Sequence, residues 1–361
     1  MSCAIDSSEL QRYLKSLAGS SARIVKQVPL GETGDQDVKG YGYGTPVLIE
    51  YEADGRHRKA VLHTIKPGPF GHEDMSDRAQ SLLWEHIAFN RLPKHVKSID
   101  VGAIRHNRTA VSLGDAEEFF SLTEYGEGSP YAEDLERIRD SGSYSETDLR
   151  RADALCEYLA GIHREPVNAA GLYVRRIREL VGHSECIMGL VDSYPDMGGI
   201  WQRRLQDIER LCIDWRWKLK KRVHRLRQVH GDFHPWNILF SQETDFCLLD
   251  RSRGEWGDPA DDVTCLTMNF VFFSLQRSAS LDGIFRDLFS AFWKRYLDRT
   301  GDFEMLEIAA PFFVFRGLVM ANPVWYPHLN DTVRQKLFNF MTAVLNSATF
   351  EPLKVNQYLG S

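Results

Sequence analysis

The apolar pattern changes about one third of the way along this 361-residue chain, and that change constrains the fold most strongly. Three early segments are rich in β-branched residues, which predicts strands at 24–28, 46–51 and 60–65. From residue 126 onward, apolar residues recur mainly at helical spacing. We therefore predict an α+β fold: a small antiparallel β-rich part over residues 1–125, then a larger, mainly helical part over residues 126–361.

Local signals refine this division. Asp54-Gly55 predicts a tight hairpin turn between the second and third strands, because both residue types tolerate positive φ. Residues 122–128 are predicted to be a strand that leads into the second part, and Phe119 and Phe120 are predicted core residues. Helical spacing predicts helices at 8–18, 76–91, 147–163, 200–228, 281–298, 304–321 and 331–348.

Charge and cysteine usage exclude several classes of function. The net charge of −6 gives no general attraction to nucleic acid or to anionic membranes. No two cysteines form a CxxC pair, and residues 1–6 lack the start of a signal peptide, so we expect reduced thiols in a cytoplasm. The apolar stretch 263–275 is shorter than the roughly 20 residues of a membrane helix. The stretch 309–325 is interrupted by Pro311 and Arg316.

The most informative segment is His-Gly-Asp-Phe-His-Pro-Trp-Asn at residues 230–237. Two short apolar runs follow, 238–240 and 246–249, joined by a polar turn. In an antiparallel hairpin, the start of the first strand lies beside the end of the second. The spacing therefore predicts that Asn237 and Asp250 meet at the open end of a hairpin.

An amide oxygen beside a carboxylate suits magnesium, which binds hard oxygen ligands and usually takes one or two carboxylates. Asp232 lies five residues before Asn237 and could face the same site without binding metal. Phosphoryl transfer requires this division, because a separate carboxylate must orient the attacking hydroxyl. The alternative is a structural hairpin in which Asp and Asn only cap turns.

These residues resemble the aminoglycoside phosphotransferase and choline kinase family, whose loop has the form His-Gly-Asp-x-His-x-x-Asn. Residues 257–262, Gly-Asp-Pro-Ala-Asp-Asp, resemble the Gly-Asp-Pro-Ala-x-Asp segment of that family. The resemblance implies a protein-kinase-like two-lobed fold, with Asp232 as catalytic base and Asn237 and Asp250 as Mg²⁺ ligands. It also implies that Asp262 braces the catalytic loop.

The same resemblance places nucleotide binding, of ATP or alternatively GTP, in the first part. Glycines between the first two strands, among them Gly31, Gly34, Gly40 and Gly42, would let backbone amides approach phosphate. His63 stands where the family has a strand lysine, and Lys66 is the nearest basic alternative. Glu85 is the predicted partner acid, and the backbone around Glu124 would bind the adenine edge. The alternative for the glycine segment is a surface loop, and for Glu85 a solvated helix face.

Three further groups of side chains are open to two interpretations. Arg251 and Arg253 could hold an anionic substrate or phosphate, or could pair with Glu255, Asp258 or Asp261. His234 could be structural, or could act as a catalytic residue that touches nucleotide or substrate, whereas His163 and His230 are predicted to be structural. Aromatic residues in the later helices could line a substrate pocket or belong to the core: Tyr173, Trp201 and Trp325.

We therefore predict an ATP- and Mg²⁺-dependent kinase that phosphorylates a hydroxyl of an aminoglycoside-, choline- or sugar-like molecule. The predicted partner is that small molecule, with neither nucleic acid nor a membrane, and no sequence signal sets an oligomeric state. The alternative is a non-catalytic nucleotide-binding protein or scaffold, which the histidine at position 63 motivates. A protein kinase is disfavoured, because no Asp-Phe-Gly or Ala-Pro-Glu segment bounds an activation loop.

Overall fold

The computed structural model describes residues 5–30 and 43–360. The chain divides into two compact units, Met1–Thr123 and Glu124–Ser361. Each unit has a hydrophobic core of its own. The predicted order of a β-rich part followed by a mainly helical part is confirmed, whereas the functions predicted for the two parts stay predictions.

The described residues of the first unit form two helices and five strands. The helices are α1 (Ser7–Ala18) and α2 (Met75–Phe89). The strands are β1 (Arg23–Pro29), β2 (Val47–Ala53), β3 (Arg56–Leu62), β4 (Gly102–Ile104) and β5 (Ala110–Ser112). Strands β1, β2 and β3 form an antiparallel sheet in that order, and β4 pairs with β5.

The hairpin between β2 and β3 forms as the sequence predicts. Asp54 and Gly55 adopt φ values of +51° and +70°, which a two-residue turn of this kind requires. Strand β3 begins directly after the turn, at Arg56, and ends at Leu62, earlier than the predicted span 60–65. The turn fixes the register, so β3 pairs with β2 even through its charged first half.

The core of the first unit is formed by α1 and the sheet. Leu10 and Leu14 on α1 are buried with Ile49 and Tyr51 of β2. The helical spacing of residues 8–18 therefore predicts the buried face of α1 correctly. Helix α2, in contrast, buries none of its residues.

Two predictions near the unit boundary are wrong. Residues 122–128 form no strand, and β6 (Ser129–Pro130) is only two residues long. Gly126 and Gly128 explain this result, because glycine weakens a strand and Gly128 adopts a φ of +133°. Phe119 and Phe120 are 55% and 93% exposed instead of buried.

The second unit contains eleven helices and five strands among its described residues. The helices are α3 (Tyr131–Ser141), α4 (Glu146–Ile162), α5 (Ala170–Gly182), α6 (Ile187–Ser193), α7 (Gly199–Leu219), α8 (Pro259–Ser278), α9 (Gly283–Thr300), α10 (Met305–Ile308), α11 (Ala310–Ala321), α12 (Asp331–Leu345) and α13 (Val355–Tyr358). The strands are β6, β7 (Arg227–Gln228), β8 (Ile238–Gln242), β9 (Asp245–Leu248) and β10 (Trp256–Gly257).

Two predicted helices are shorter or divided. The helix predicted at 200–228 ends at Leu219, and a 3₁₀ turn and β7 follow. The helix predicted at 304–321 is divided into α10 and α11 at Ala309. Pro311 explains the division, because proline lacks the amide hydrogen that a continuous helix needs and fits its first turn.

Helix α8 is the central element of the second unit. It is buried at nearly every position from Pro259 to Leu275, which confirms the core helix predicted at 263–275. Helices α3, α9 and α11 pack around it. Among the described residues, no helix is long and apolar enough to cross a membrane.

A buried ionic network fixes the start of α8. Asp258 caps the helix by accepting a hydrogen bond from the Ala260 amide at 3.0 Å. Arg225 donates two hydrogen bonds of 2.9 Å to the Asp258 carboxylate and pairs with Asp302 at 2.6 Å. Because Arg225 is the last residue of the 3₁₀ turn and Asp258 precedes α8, the network holds together the two ends of the segment between them.

Candidate active site

The loop at residues 230–237 is anchored on the first turn of α8. Asp262 is fully buried there and accepts hydrogen bonds from the backbone amides of His230 and Gly231, both at 2.8 Å. Gly231 adopts a φ of +88°, a conformation that favours glycine. This is the bracing contact that the family resemblance implied for Asp262.

His163 completes the support beneath the loop. Its Nε2 lies 3.1 Å from Asp262 Oδ2, and its Nδ1 lies 2.6 Å from the hydroxyl of Tyr296. Burial alone would raise the pKa of Asp262, but hydrogen bonds from His163 and the two loop amides lower it. The carboxylate is therefore held charged, and His163 has the structural position predicted for it.

Asp232 is held by the side chain of Arg316, which projects from α11. Arg316 Nη1 lies 2.5 Å from Asp232 Oδ1. His234 Nε2 lies 3.5 Å from the other carboxylate oxygen, Oδ2. Burial alone would raise the pKa of Asp232, but the charge of Arg316, the hydrogen bond from His234 and the charge of Arg253 lower it well below its usual value.

The two histidines of the loop have different environments. His234 Nδ1 accepts a hydrogen bond from the Trp236 amide at 3.2 Å, so its Nε2 carries the proton that faces Asp232. His230 is buried, and its Nδ1 accepts a hydrogen bond from the Asp232 amide at 3.3 Å. The structural role predicted for His230 is therefore confirmed, whereas the catalytic role of His234 stays a prediction.

The predicted hairpin is present and brings Asn237 and Asp250 to one end. Strands β8 and β9 pair with Ile238 opposite Leu248, and the Leu249 amide donates to the Asn237 carbonyl at 2.9 Å. The Asn237 side-chain nitrogen donates to the Asp232 carbonyl at 3.0 Å. This bond uses the amide nitrogen of the Asn237 side chain and leaves its oxygen for another ligand.

Asp250 sits directly after β9 in an unusual conformation. Its φ is +48°, which Asp tolerates better than most residues, and its Oδ1 accepts a hydrogen bond from the Ser252 amide at 3.0 Å. The residue is exposed. This turn directs the chain away from the hairpin immediately after the carboxylate.

The residues at this end fit a magnesium ion. Asn237 and Asp250 offer one amide oxygen and one carboxylate, which are hard donors, and Mg²⁺ commonly takes the remainder from water and phosphates. Within residues 5–30 and 43–360, no group of three or more His, Cys, Asp or Glu side chains could hold a metal ion. Any metal at this site would therefore depend on few protein ligands.

The two arginines after Asp250 do not form the ion pairs considered for them. Arg251 Nη2 donates to the Val229 carbonyl at 2.9 Å, and Arg253 stacks on the ring of Phe315 at 4.6 Å. Arg253 Nη1 also lies 3.7 Å from Cys186 Sγ. The three acids bind other donors: Asp258 binds Arg225, Asp261 binds Arg316, and Glu255 binds the Trp256 indole.

Arg316 and Asp261 are the site residues that sequence reasoning missed. Arg316 Nη2 lies 2.7 Å from Asp261 Oδ1 and 3.1 Å from the Gly231 carbonyl. The sequence carried one usable signal, a single arginine within the otherwise apolar helix α11. A charge is rarely buried without a partner, so its position indicated an acidic partner elsewhere in the chain.

The predicted nucleotide-binding residues of the first unit are arranged more loosely. His63 Nδ1 lies 3.6 Å from Glu85 Oε2, and the two side chains are 37% and 39% exposed. Lys66 is exposed, and its amide donates to the Tyr43 carbonyl at 2.6 Å. Gly31, Gly34, Gly40 and Gly42 lie outside the described residues. Glu124, at the start of the second unit, is exposed in an irregular segment.

The aromatic residues considered for a substrate pocket differ in exposure. Tyr173 is fully buried, and its hydroxyl donates to Asp258 at 2.8 Å, so it belongs to the core network. Trp201 packs edge-on against Phe338 at 4.9 Å. Trp201 is half-buried and lines a surface cavity, and Trp325 is exposed, so both remain accessible to a ligand.

Residues 69–299 match the Phosphotransferase enzyme family. The chain belongs to this family. The match includes Asp232, Asn237 and Asp250, and it confirms the kinase-like fold class that the sequence predicts.

Several solved structures are similar to this member of the phosphotransferase family. A glucosamine kinase is 18% identical with a TM-score of 0.33, over 64% of this chain and 56% of that chain. A Plasmodium vivax ethanolamine kinase is 12% identical with a TM-score of 0.34, over 94% and 80%. An amicoumacin kinase, solved with AMP-PNP, Ca²⁺ and Ami, is 13% identical with a TM-score of 0.40, over 98% and 97%. The chain spans little more than half of that glucosamine kinase chain. No curated protein matches the sequence.

Proposed function

We propose that this protein transfers the γ-phosphoryl group of ATP, or of GTP, to a hydroxyl group of a small molecule in a Mg²⁺-dependent reaction. One observation carries the proposal. The loop that presents Asp232 is hydrogen-bonded to Asn237, and Asn237 shares the open end of the β8–β9 hairpin with Asp250. The candidate proton acceptor and the two candidate metal ligands therefore lie on adjoining backbone.

In the proposed reaction Asp232 orients the attacking hydroxyl and receives its proton. Asp232 suits this role because its carboxylate is charged and its orientation is fixed from two sides. Asn237 and Asp250 would hold Mg²⁺, which neutralises phosphate charge when bound. Asp262 maintains the loop conformation through its two amide hydrogen bonds.

Further residues are assigned from their surroundings. His63, with Glu85 beside it, and Lys66 are proposed to contact the nucleotide phosphates, together with Gly40 and Gly42. The backbone at Glu124 is proposed to bind the base. Arg251 and Arg253 are proposed to face the substrate or the transferred phosphate, since Arg253 stacks on Phe315 and its charge lowers the pKa of the Asp232 carboxyl group.

A comparison of Asp232→Asn with Asp245→Asn tests the proposal. Asp245 is an exposed carboxylate at the opposite end of the same hairpin, so its loss controls for charge and local folding. Both proteins are incubated with Mg²⁺, ATP and a panel of hydroxylated compounds, and release of nucleoside diphosphate is measured. We expect at least about a 100-fold loss of transfer for Asp232→Asn, with nucleotide binding retained in calorimetry, and little change for Asp245→Asn.

The second candidate function is nucleotide binding without transfer. Its basis is the histidine at position 63, because a neutral imidazole holds phosphate less well than an ammonium group. ATP binding by the wild-type protein, with no transfer to any compound and no slow hydrolysis, would select this candidate. The proposed location is the cytoplasm, on the grounds of cysteine usage.

A further inference from the structure

The guanidinium group of Arg316 is buried at the centre of the candidate site. The residue is 5% exposed and projects from α11, where its neighbours in sequence are apolar. Its Nη1 contacts Asp232, and its Nη2 contacts both Asp261 and the Gly231 carbonyl. A buried charge with this many hydrogen bonds is an organised ion-pair cluster and not a surface contact.

The two carboxylate oxygens of Asp232 have different contacts. Oδ1 is engaged by Arg316 at 2.5 Å, a charge-assisted distance. Among residues 5–30 and 43–360, the contact of Oδ2 is with the protonated Nε2 of His234, at the longer distance of 3.5 Å. A hydroxyl group of the substrate could therefore approach Oδ2 without displacing the arginine.

We propose that Arg316 is a positioning residue that fixes Asp232 through Oδ1 and leaves Oδ2 as the oxygen that receives the substrate proton. The inference rests on the proposed function. In the reaction, the hydroxyl oxygen forms a bond to the γ-phosphorus while the bond from that phosphorus to the β-phosphate oxygen breaks. The nucleoside diphosphate leaves with the electron pair, and the hydroxyl proton moves to Asp232 Oδ2.

Asp261 supplies the opposing charge in the cluster. It draws Nη2 of Arg316 towards the first turn of α8, so the arginine is held between two acids that lie on different elements. Arg316 thereby joins three elements through its hydrogen bonds: α11, the first turn of α8 and the loop at residues 230–237. The charged and titratable groups that face Asp232 from the surrounding elements are Arg316, Arg253, His234, Cys265 and, through Arg316, Asp261.

Two substitutions in the cluster should change the pKa of Asp232 differently. Arg316→Met removes the positive charge, so the pKa of Asp232 should rise by more than one unit. Asp261→Asn removes a negative charge but keeps an oxygen that can accept from Arg316, so the pKa of Asp232 should stay low. If Arg316 only stabilised the fold, the cluster would loosen in both variants, and the pKa of Asp232 would rise in both.

Carboxyl-carbon NMR of protein labelled at aspartate provides the readout, with the Asp232 signal assigned by its absence in Asp232→Asn. We expect Arg316→Met to raise the pKa of Asp232 and to lower kcat by roughly 100-fold, with KM for ATP changed less than threefold. An unchanged Asp232 titration in folded Arg316→Met, or kcat within twofold of wild type, would overturn the proposal.

Arg316→Lys keeps the proposal testable if the methionine variant does not fold. One ammonium group keeps the charge but cannot reproduce the planar fork that holds Asp232 and Asp261 together. We expect the pKa of Asp232 to remain low while kcat falls at least tenfold. Full wild-type kcat in this variant would contradict the positioning role.

The NMR titration separates failure of this inference from failure of the proposed function. If the wild-type protein transfers phosphate to no compound, the proposed phosphotransferase function fails, but the Asp232 titration still reports on the Arg316 contact. If the wild-type protein is active and the titration of Asp232 does not respond to Arg316, only the positioning role fails.

Discussion

Two acid–base clusters, one in each unit, are built in contrasting ways. In the first unit, His63 and Glu85 lie 3.6 Å apart, and more than a third of each side chain is exposed. In the second unit, Arg316 lies 2.5 Å from Asp232 and 2.7 Å from Asp261, and its guanidinium is buried. Both clusters contain candidate functional residues, but only the second is fixed by the protein interior.

The difference follows from the physics of ion pairs. An exposed pair is screened by water and contributes at most about 1 kcal/mol, so its geometry is adjustable. A buried cluster loses several kcal/mol when one partner is removed, because the remaining charge has no solvent. Asp232 is therefore held rigidly, whereas His63 and Glu85 can adapt to a ligand.

The largest expected effect comes from removing the buried support of the loop. Asp262→Ala would leave His163 and the amides of His230 and Gly231 without their acceptor. We expect a loss of about 3–5 kcal/mol in the free energy of unfolding, together with loss of phosphoryl transfer. Urea denaturation followed by tryptophan fluorescence measures the first effect, and product release measures the second.

Asp287→Ala is the matched control for this experiment. Asp287 pairs with Arg286 on the surface, where both side chains are 59% exposed. Its removal should change the free energy of unfolding by less than about 0.5 kcal/mol. Equal losses in the free energy of unfolding for Asp262→Ala and Asp287→Ala would mean that burial does not decide how much an acid contributes to stability.

A pH effect of intermediate size is expected from Asp232. Its pKa is lower in the folded protein than the usual value of about 3.9, so the charged form stabilises the fold. This stabilisation is complete above about pH 5 and is lost as the pH falls below the unfolded value towards the folded one. Relative to Asp232→Asn, the wild-type protein should lose about 1 kcal/mol of stability between pH 6 and pH 3.

Denaturation of both proteins at a series of pH values provides this measurement. Asp245→Asn, which changes an exposed carboxylate, should follow the wild-type pH dependence closely. A constant difference between wild type and Asp232→Asn from pH 6 to pH 3 would show that Arg316 does not favour the charged form of Asp232.

The smallest expected effect concerns the exposed pair of the first unit. His63→Lys would introduce a permanent positive charge beside Glu85, and we expect nucleotide affinity to rise by up to about tenfold. Stability should change by less than about 1 kcal/mol. Calorimetric titration with Mg²⁺–ATP measures the affinity, and thermal unfolding measures the stability.

His57→Lys is a close control, because His57 lies on β3, the strand that ends just before His63, and sits 3.5 Å from a glutamate, Glu50. It should leave nucleotide affinity unchanged. If the two lysine variants behave alike, the proposed phosphate contact of His63 is wrong and any gain reflects net charge alone.

Local signals account for the parts of the site that were predicted correctly. The polar turn between two apolar runs determines the β8–β9 hairpin, and the hairpin places Asn237 and Asp250 at one end. The Asp54-Gly55 turn is predicted for the same reason, since its conformation depends on two adjacent residues. Predictions of burial are wrong where neighbouring residues give no information about packing, as for Phe119 and Phe120, which are apolar yet exposed.

The sequence by itself determined the order of β-rich and helical parts, the hairpin and the spacing of Asp232, Asn237 and Asp250, because these depend on residues close together in the chain. Only the tertiary structure decided that Arg316 would contact Asp232 and Asp261, which lie 84 and 55 residues away. The partner of a buried charge is selected by the packing of whole helices against a loop, and that packing leaves no periodic trace in the sequence.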